Sequence, residues 1–428
     1  MRPGAASTRL GLRANLGQFS LLLIVNAFVG AMVGMERSVL PLLAEREFGI
    51  ASRAAILSFL ITFGLVKAIA NVFAGVTADR WGRRRTLIVG WLAGIPVPLL
   101  IMLAPDWGWI VAANVLLGVN QGLCWSTAIV MKVDLVGPGR RGLAIGLNES
   151  SGYLAVAGAA LATGYLAGQF GLRPAPFLVG LAAAIAGLFC SLFTRDTRGH
   201  AALESASVGE TASRPSAMAV FGAVSWRSSS LRAVSQAGLV NNLNDGVSWG
   251  LFPLLFAAHG LPIERIAFLV ALYPAVWGAA QLLTGPLSDR LGRRGLMTAG
   301  MLVQGVALIG VAAGRSWGAW LVAMVALGIG TALVYPTFLS AVSHHTRASW
   351  RATAIGVYRW WRDLGYVAGA ILAGVLADRF GLAASILSVG VITILSGLVL
   401  AMTYQERATA QTDTGSVVQS SVHVAGTR

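Results

Sequence analysis

Stretch after stretch of this chain is apolar for about 20 residues or longer, the length a helix needs to cross the hydrocarbon core of a bilayer. In lipid every backbone N–H and C=O must be bonded within the protein, so stretches of this kind are helices. Twelve are predicted, at roughly 17–43, 52–77, 85–104, 108–134, 141–168 and 173–194, then 231–257, 264–288, 295–313, 318–344, 350–377 and 381–403. Composition agrees. Of 428 residues, 56% are hydrophobic and 11% charged, against about 25% charged in a soluble domain. A cytosolic enzyme, a disordered chain and a disulfide-stapled secreted domain are all disfavoured. Cys124 and Cys190 both lie in apolar stretches and form no zinc or CxxC spacing. The first apolar run is too long for a signal-peptide core of about 7–15 residues and is read as a retained span.

The spans divide the chain into a tail at 1–16, six helices over 17–194, a Ser/Ala/Arg-rich linker at 195–230, six helices over 231–403 and a Ser/Thr/Gln-rich tail at 404–428, expected to be disordered. The net charge of +15 would suggest nucleic acid in a soluble protein. Here the arginines fall in short clusters between spans: Arg80, Arg83, Arg84 and Arg85; Arg140 and Arg141; Arg290, Arg293 and Arg294; Arg347 and Arg351. That distribution sets orientation, so no nucleic-acid partner is expected. It predicts both tails and the linker in the cytoplasm, in an inner or plasma membrane.

The chain also repeats itself. GVTADRWG at 75–82 returns as GPLSDRLG at 285–292, and GYLAGQFG at 164–171 returns as GVLADRFG at 374–381, in each case 210 positions later. The four phrases close spans 2, 5, 8 and 11. A three-helix unit is therefore used four times, and because three is odd, successive copies insert upside down. Two halves made of inverted three-helix repeats are the architecture of a rocking transporter with its site at the repeat interface.

On these residues the chain resembles the major facilitator superfamily, whose loop between spans 2 and 3 carries G-x-x-x-D-R-x-G-R-R. The match is Gly75, Asp79, Arg80, Gly82, Arg83 and Arg84 in one half, and Gly285, Asp289, Arg290, Gly292, Arg293 and Arg294 in the other. The resemblance covers about residues 15–405 and implies secondary transport by alternating access, with no cofactor and no enzymatic step. Chemically, the motif suits a conformational latch: a carboxylate can meet a helix N-terminus and the arginines can pair with acids or helix C-termini. The plainer alternative is that the arginines only set topology. Two departures from the superfamily's drug/proton antiporters stand out: Gly118 occupies the position three before Gln121–Gly122 where those carry Arg, and residues 142–168 contain no proline.

An ionisable side chain at the bilayer centre costs about 2.5–3.5 kcal/mol or more, so each such residue needs an explanation. Glu36 and Arg37 lie in span 1, Lys67 and Asn71 in span 2, Asn148 and Glu149 in span 5, Asn241 and Asp245 in span 7, and Tyr358, Arg359, Arg362 and Asp363 in span 11. Spans 3, 6, 9 and 12 are almost bare of charge, as helices facing lipid should be. The 210-residue offset sets Glu149 and Arg359 at equivalent depths. These twelve residues are the candidates for a solute or proton cavity. Each has a structural alternative: Arg359 and Asp363, four apart, neutralise each other; Lys67 forms a structural ion pair; Lys132 and Asp134 snorkel to the cytoplasmic edge. Trp125, Trp277 and Tyr335 are candidates to line the cavity, with packing or an interfacial place the commoner role of membrane aromatics, and Gly30 and Gly34 are expected to make a helix contact.

The arginines and Lys67 point to a small polar or anionic solute, since guanidinium binds carboxylate or phosphate bidentately. Glu149 or Glu36 is the candidate proton carrier. The alternative is proton-coupled efflux of a lipophilic or cationic compound, as in a multidrug antiporter. The expected partners are the solute, the bilayer and protons, with the chain a monomer. No metal-ligand cluster or nucleophile–base constellation is found.

Overall fold

The computed structural model describes residues 9–137, 141–207, 215–346 and 348–406, and among them all regular structure is helical. In chain order the helices are α1 (Leu16–Arg37), α2 (Leu40–Arg46), α3 (Arg53–Ile56), α4 (Ser58–Trp81), α5 (Arg83–Gly94), α6 (Pro96–Leu103), α7 (Trp107–Val136), α8 (Arg141–Phe170) and α9 (Ala175–Leu192). They continue with α10 (Arg198–Ser207), α11 (Ala217–Gly222), α12 (Ser229–Ala258), α13 (Ile263–Leu291), α14 (Arg293–Ala313), α15 (Trp317–His344), α16 (Ala348–Phe380) and α17 (Leu382–Thr403).

Eight stretches are both long and apolar enough to cross a membrane: Leu16–Arg46, Arg53–Gly75, Arg83–Leu103, Ala175–Leu192, Ile263–Thr284, Arg293–Ala313, Trp317–His344 and Leu382–Thr403. Four more helices, α7, α8, α12 and α16, run 30 to 33 residues, or about 45 Å or more at 1.5 Å per residue. These four carry buried polar side chains: Asn120 and Gln121, Asn148 and Glu149, Asn241 and Asp245, Arg362 and Asp363.

The four repeated phrases have a common backbone cause. Their last residues, Gly82, Gly171, Gly292 and Gly381, all adopt positive φ, at 100°, 86°, 81° and 86°. Each ends a long helix in a conformation that a Cβ disfavours, and the chain turns back at once. At Gly82, Gly292 and Gly381 glycine lets one helix stop and the next begin within a single residue, and after Gly171 the next helix begins at Ala175.

The helices pack as two bundles. In the first, α1 lies against α7, α8 and α9, and α5 against α7 and α9; in the second, α12 lies against α16 and α17, and α14 against α15 and α17. Small residues permit the closest approaches. A Cβ on Gly30 or Gly34 of α1 would overlap the backbone of Gly152 or Val156 on α8. In the second bundle the glycines sit on the other partner, Gly365 and Gly369 of α16 against Leu239 and Leu243 of α12. The segment read as a linker is not bare: α10, α11 and a π-turn at Ala223–Arg227 occupy part of it. Phe221 and Trp226 pack on Trp361 of α16, whose indole N–H donates to Ser225 Oγ at 2.8 Å.

The bundles meet along α8 with α13 and along α4 with α16, and they meet unequally at the two ends. Gly146 and Gly164 of α8 are 18 residues apart, five turns at 3.6 per turn, so they share a face and lie about 27 Å apart. A Cβ on Gly164 would collide with the methyl group of Ala267 on α13, whereas one on Gly146 would meet nothing within 4 Å among the described residues. Helix α16 repeats this. Gly374 would place a Cβ 2.6 Å from Ala54 Cα, while Gly356, 18 residues earlier, meets nothing within 4 Å among the described residues. Among the described residues Gly75 and Gly142 likewise meet nothing within 4 Å. The bundles touch at the end remote from the arginine-rich turns and diverge at the arginine end.

Candidate functional site

Between the bundles lies a cavity lined by Val33 of α1, Phe63, Lys67 and Asn71 of α4, Gln121, Trp125 and Ser126 of α7, Tyr153 and Val156 of α8, Trp249 of α12, Tyr335 of α15, and Arg359, Arg362 and Tyr366 of α16. Its free volume is about 20 Å³, room for roughly one water. The side chains have closed in on one another.

Its floor is an ionic network that joins the bundles. Asp363, fully buried, accepts from Arg362 Nη2 at 2.8 Å and Nε at 3.2 Å, and from Asn71 Nδ2 at 2.5 Å. Lys67 Nζ stands 3.9 Å from the same carboxylate. Asn71 in turn accepts from Ser126 Oγ at 2.7 Å, and Arg362 Nη1 donates to the Tyr335 hydroxyl. Four-residue spacing on α16 suggested Arg359 as the partner of Asp363. The adjacent Arg362 takes that place, and the buried Arg359 Nε has no hydrogen-bond acceptor. Lys67 lies 5.0 Å from the ring centroid of Tyr366 and 5.5 Å from that of Phe63, within cation–π range.

Glu149 lies behind the lining residue Trp125. Its Oε1 accepts from Trp125 Nε1 at 2.9 Å and Asn148 Nδ2 at 3.1 Å, while its buried Oε2 has no partner. Glu36 and Arg37 lie nearer the closed end. Glu36, fully buried, accepts from Asn114 at 3.3 Å through one oxygen, and the other has no partner. The Arg37 guanidinium turns away from it and stacks on Trp249 of the second bundle at 3.8 Å. Asp245 accepts from the Tyr273 hydroxyl and, at 3.5 Å, from that of Tyr366. Asn241 bonds Asn242 at 3.4 Å within α12, and Tyr358 packs against Gly238 and Phe338. Both stand back from the cavity.

Of the three aromatic candidates, Trp125 and Tyr335 line the cavity, and Trp277 lies behind Tyr153. Tyr153 stacks on Trp277 at 3.5 Å and neighbours Trp125 at 5.5 Å and Tyr335 at 6.0 Å. Nor does Lys132 reach the edge of the membrane: it is fully buried, and its Nζ donates to Leu22 O at 2.9 Å. Asp134 is also buried, in an ion pair with Arg83 at 3.2 Å. Trp249, Tyr273 and Tyr366 were not among the candidates, although a helical-face argument reaches one of them: Tyr366 is seven residues, two turns, beyond Arg359.

At the arginine end, Arg83 is held by Asp134, and Arg84 donates to Leu192 O at 2.6 Å. Their counterparts are held similarly: Arg293 donates to Ser340 Oγ at 2.9 Å and Arg294 to Ala401 O at 2.8 Å. These contacts tie each arginine to its own bundle, and Arg80 is exposed. Gly285 and the side chains of Asp79, Asp289 and Arg290 lie outside the described residues, as do Arg140, Arg347 and the tail from 407.

A family profile described as the Major Facilitator Superfamily matches residues 22–233 and again 234–423. The multidrug resistance protein MdtG of Citrobacter koseri is 24% identical over 382 residues, covering 87% of this chain and 89% of that one. An uncharacterized MFS-type transporter of Salmonella typhimurium, STM4428, is 25% identical over 82% of this chain and 87% of its own length. Among solved structures, a bacterial homologue of the human lysosomal transporter Spinster, in an inward-facing and unoccupied conformation, superposes with a TM-score of 0.71 at 16% identity. The superposition covers 94% of this chain and 98% of that one. A POT family transporter in complex with a thioalcohol-conjugated peptide gives 0.74 at 14% identity, over 92% and 98%.

Proposed function

Because the chain belongs to the major facilitator superfamily, a family of membrane transporters, we propose that it is a secondary active transporter of a small anionic solute, working by alternating access. In this reading twelve helices span the membrane in two six-helix halves, and the arginine end faces the cytoplasm. Both tails are cytoplasmic, in accord with the positive-inside rule. The observation that carries the proposal is the unequal meeting of the halves, tight at Gly164 and Gly374 and open five turns away at Gly146 and Gly356. Such a bundle admits solute from one side only, and closing the open end while opening the closed one moves the access to the other side.

The anionic assignment rests on charge balance. Three cations line the cavity, Lys67, Arg359 and Arg362, and two carboxylates, Asp363 and Glu149, are hydrogen-bonded to lining residues from behind, so one positive charge remains for the solute. Glu149 is the proposed proton carrier, with Glu36 as the other candidate, since each keeps one buried oxygen without a partner. Uptake of radiolabelled organic anions into proteoliposomes under a pH gradient tests this. Uptake should vanish in Arg359→Ala and lose its dependence on the gradient in Glu149→Gln. Uptake unchanged in both variants would overturn the assignment.

A second reading, proton-coupled efflux of a lipophilic or cationic compound, has two supports: the aromatic lining and the similarity to MdtG, a multidrug resistance protein. Drug-sensitivity profiles of cells with and without the protein separate the two.

A further inference from the structure

We infer that the solute is an aromatic carboxylate, its carboxylate held by Lys67 and Arg359 and its ring lying among Trp125, Tyr153 and Tyr335; the inference rests on the transport reading above and narrows its solute. Of the three cations, Arg362 is satisfied, with two hydrogen bonds to Asp363 and one to Tyr335. Asp363 is satisfied as well, since Asn71 occupies its second oxygen. Lys67, at 3.9 Å, is beyond hydrogen-bond distance of that carboxylate. Its ammonium feels the charge but keeps its donors. Arg359 keeps a buried Nε donor with no acceptor. Two lining cations with donors to spare are what a solute carboxylate requires, and an unmet buried donor such as Arg359 Nε is costly.

The aromatic part of the inference comes from the rings that pack the site. Tyr153 has Trp277 stacked on it at 3.5 Å, with Trp125 and Tyr335 beside it at 5.5 and 6.0 Å. Tyr335 also meets Trp277 at 5.2 Å. With about 20 Å³ of space, a solute enters only by parting these rings. A flat ring replaces ring–ring contacts with contacts of the same kind, so little packing is lost. A saturated ring of equal charge is thicker and lacks the quadrupole. A cation of equal shape meets Lys67 and Arg359 and is repelled.

The test is ligand binding to the purified protein, by thermal shift and calorimetry, with three probes of similar outline: 2-naphthoate, its fully saturated decalin carboxylate, and 2-naphthylmethylammonium. 2-Naphthoate should raise the melting temperature in a concentration-dependent way. The saturated acid should bind about tenfold more weakly, and the cation should produce no shift. Lys67→Gln and Arg359→Gln should each weaken 2-naphthoate by about tenfold or more. If Lys67→Gln fails to fold, Arg359→Gln still decides the matter. The inference is overturned if 2-naphthoate causes no shift, if the saturated acid or the cation binds as well, or if Arg359→Gln leaves affinity unchanged. Labels that report closure at the two ends separate this from the transport reading. Exchange of closure without naphthoate binding sinks the aromatic solute alone; two ends that never exchange sink the transport reading itself.

Discussion

The guanidinium of Arg37, at the end of α1, lies 3.8 Å from the ring centroid of Trp249 on α12 and has no hydrogen-bond acceptor. One bundle thus presses a bare cation onto an aromatic face of the other, near the end where they are closed. A desolvated cation–π contact contributes about 2 kcal/mol, or roughly a 30-fold bias toward that closure. Trp249→Ala should shift the population toward opening there. Maleimide labelling of a cysteine at Ala271, buried between α8 and α13, from the outer face should rise by about that factor.

Removing the cation should act differently on stability. Taking an ion out of water costs several kcal/mol, and at Arg37 no hydrogen bond offsets that cost. Arg37→Met should therefore melt no lower than the parent, while labelling at Ala271 rises as it does in Trp249→Ala. A large fall in melting temperature would mean that Arg37 has an acceptor.

Asp363 presents the opposite case. It balances Arg362 and Lys67 inside the protein, so Asp363→Asn leaves buried positive charge uncompensated, a loss of about 3–5 kcal/mol. Adding Lys67→Met should restore part of it, giving a coupling of about 1 kcal/mol or more in a double-mutant cycle of melting free energies.

How far the sequence reaches can be judged from these residues. The apolar runs, the four glycine-terminated phrases and the family were legible because hydropathy and a repeat are properties of the chain itself. The charged residues were legible as exceptions, since nothing but function or pairing explains Glu149 or Arg359 in lipid. Their partners were not. Spacing along α16 pairs Arg359 with Asp363, yet Arg362 and Asn71 hold that carboxylate, because Asn71 comes from a helix 292 residues away. Trp249 and Tyr366 stayed hidden for a similar reason: an aromatic residue in an apolar run gives no sign that a cation from another helix will lie on it. Lys132 was misjudged because its acceptor, Leu22 O, is a backbone group that no side-chain pattern reveals.

A pH effect is expected at the closed end. Asp378, in the exposed last turn of α16 beyond the apolar span, accepts from the backbone N–H groups of Arg53 at 2.5 Å and Ala54 at 3.2 Å, and from Ser52 Oγ at 2.8 Å. Its slight burial, which alone would raise the carboxyl, is outweighed by these donors, and they hold it below the usual carboxylate range. A depressed value means that the contact favours closure fully above the ordinary carboxyl range and loses that effect as pH falls through the depressed value. Solvent screening limits the contribution to about 0.5 kcal/mol. Asp378→Asn at neutral pH should reproduce the acid state, with labelling at Ala271 up about twofold. No rise in either condition would remove Asp378 from the closing contacts.

The central claim is that closure passes from one end of the interface to the other, and paired distances between spin labels measure it directly. One pair belongs at the arginine end, on Leu143 of α8 and Leu283 of α13; the other belongs at the opposite end, on Gln169 and Arg265 of the same helices, all four residues being exposed. As pH is lowered or solute is added, the first distance should shorten while the second lengthens, and Gly146→Leu should block that exchange by propping the open end. Two distances that stay fixed, or that lengthen and shorten together, would contradict the account.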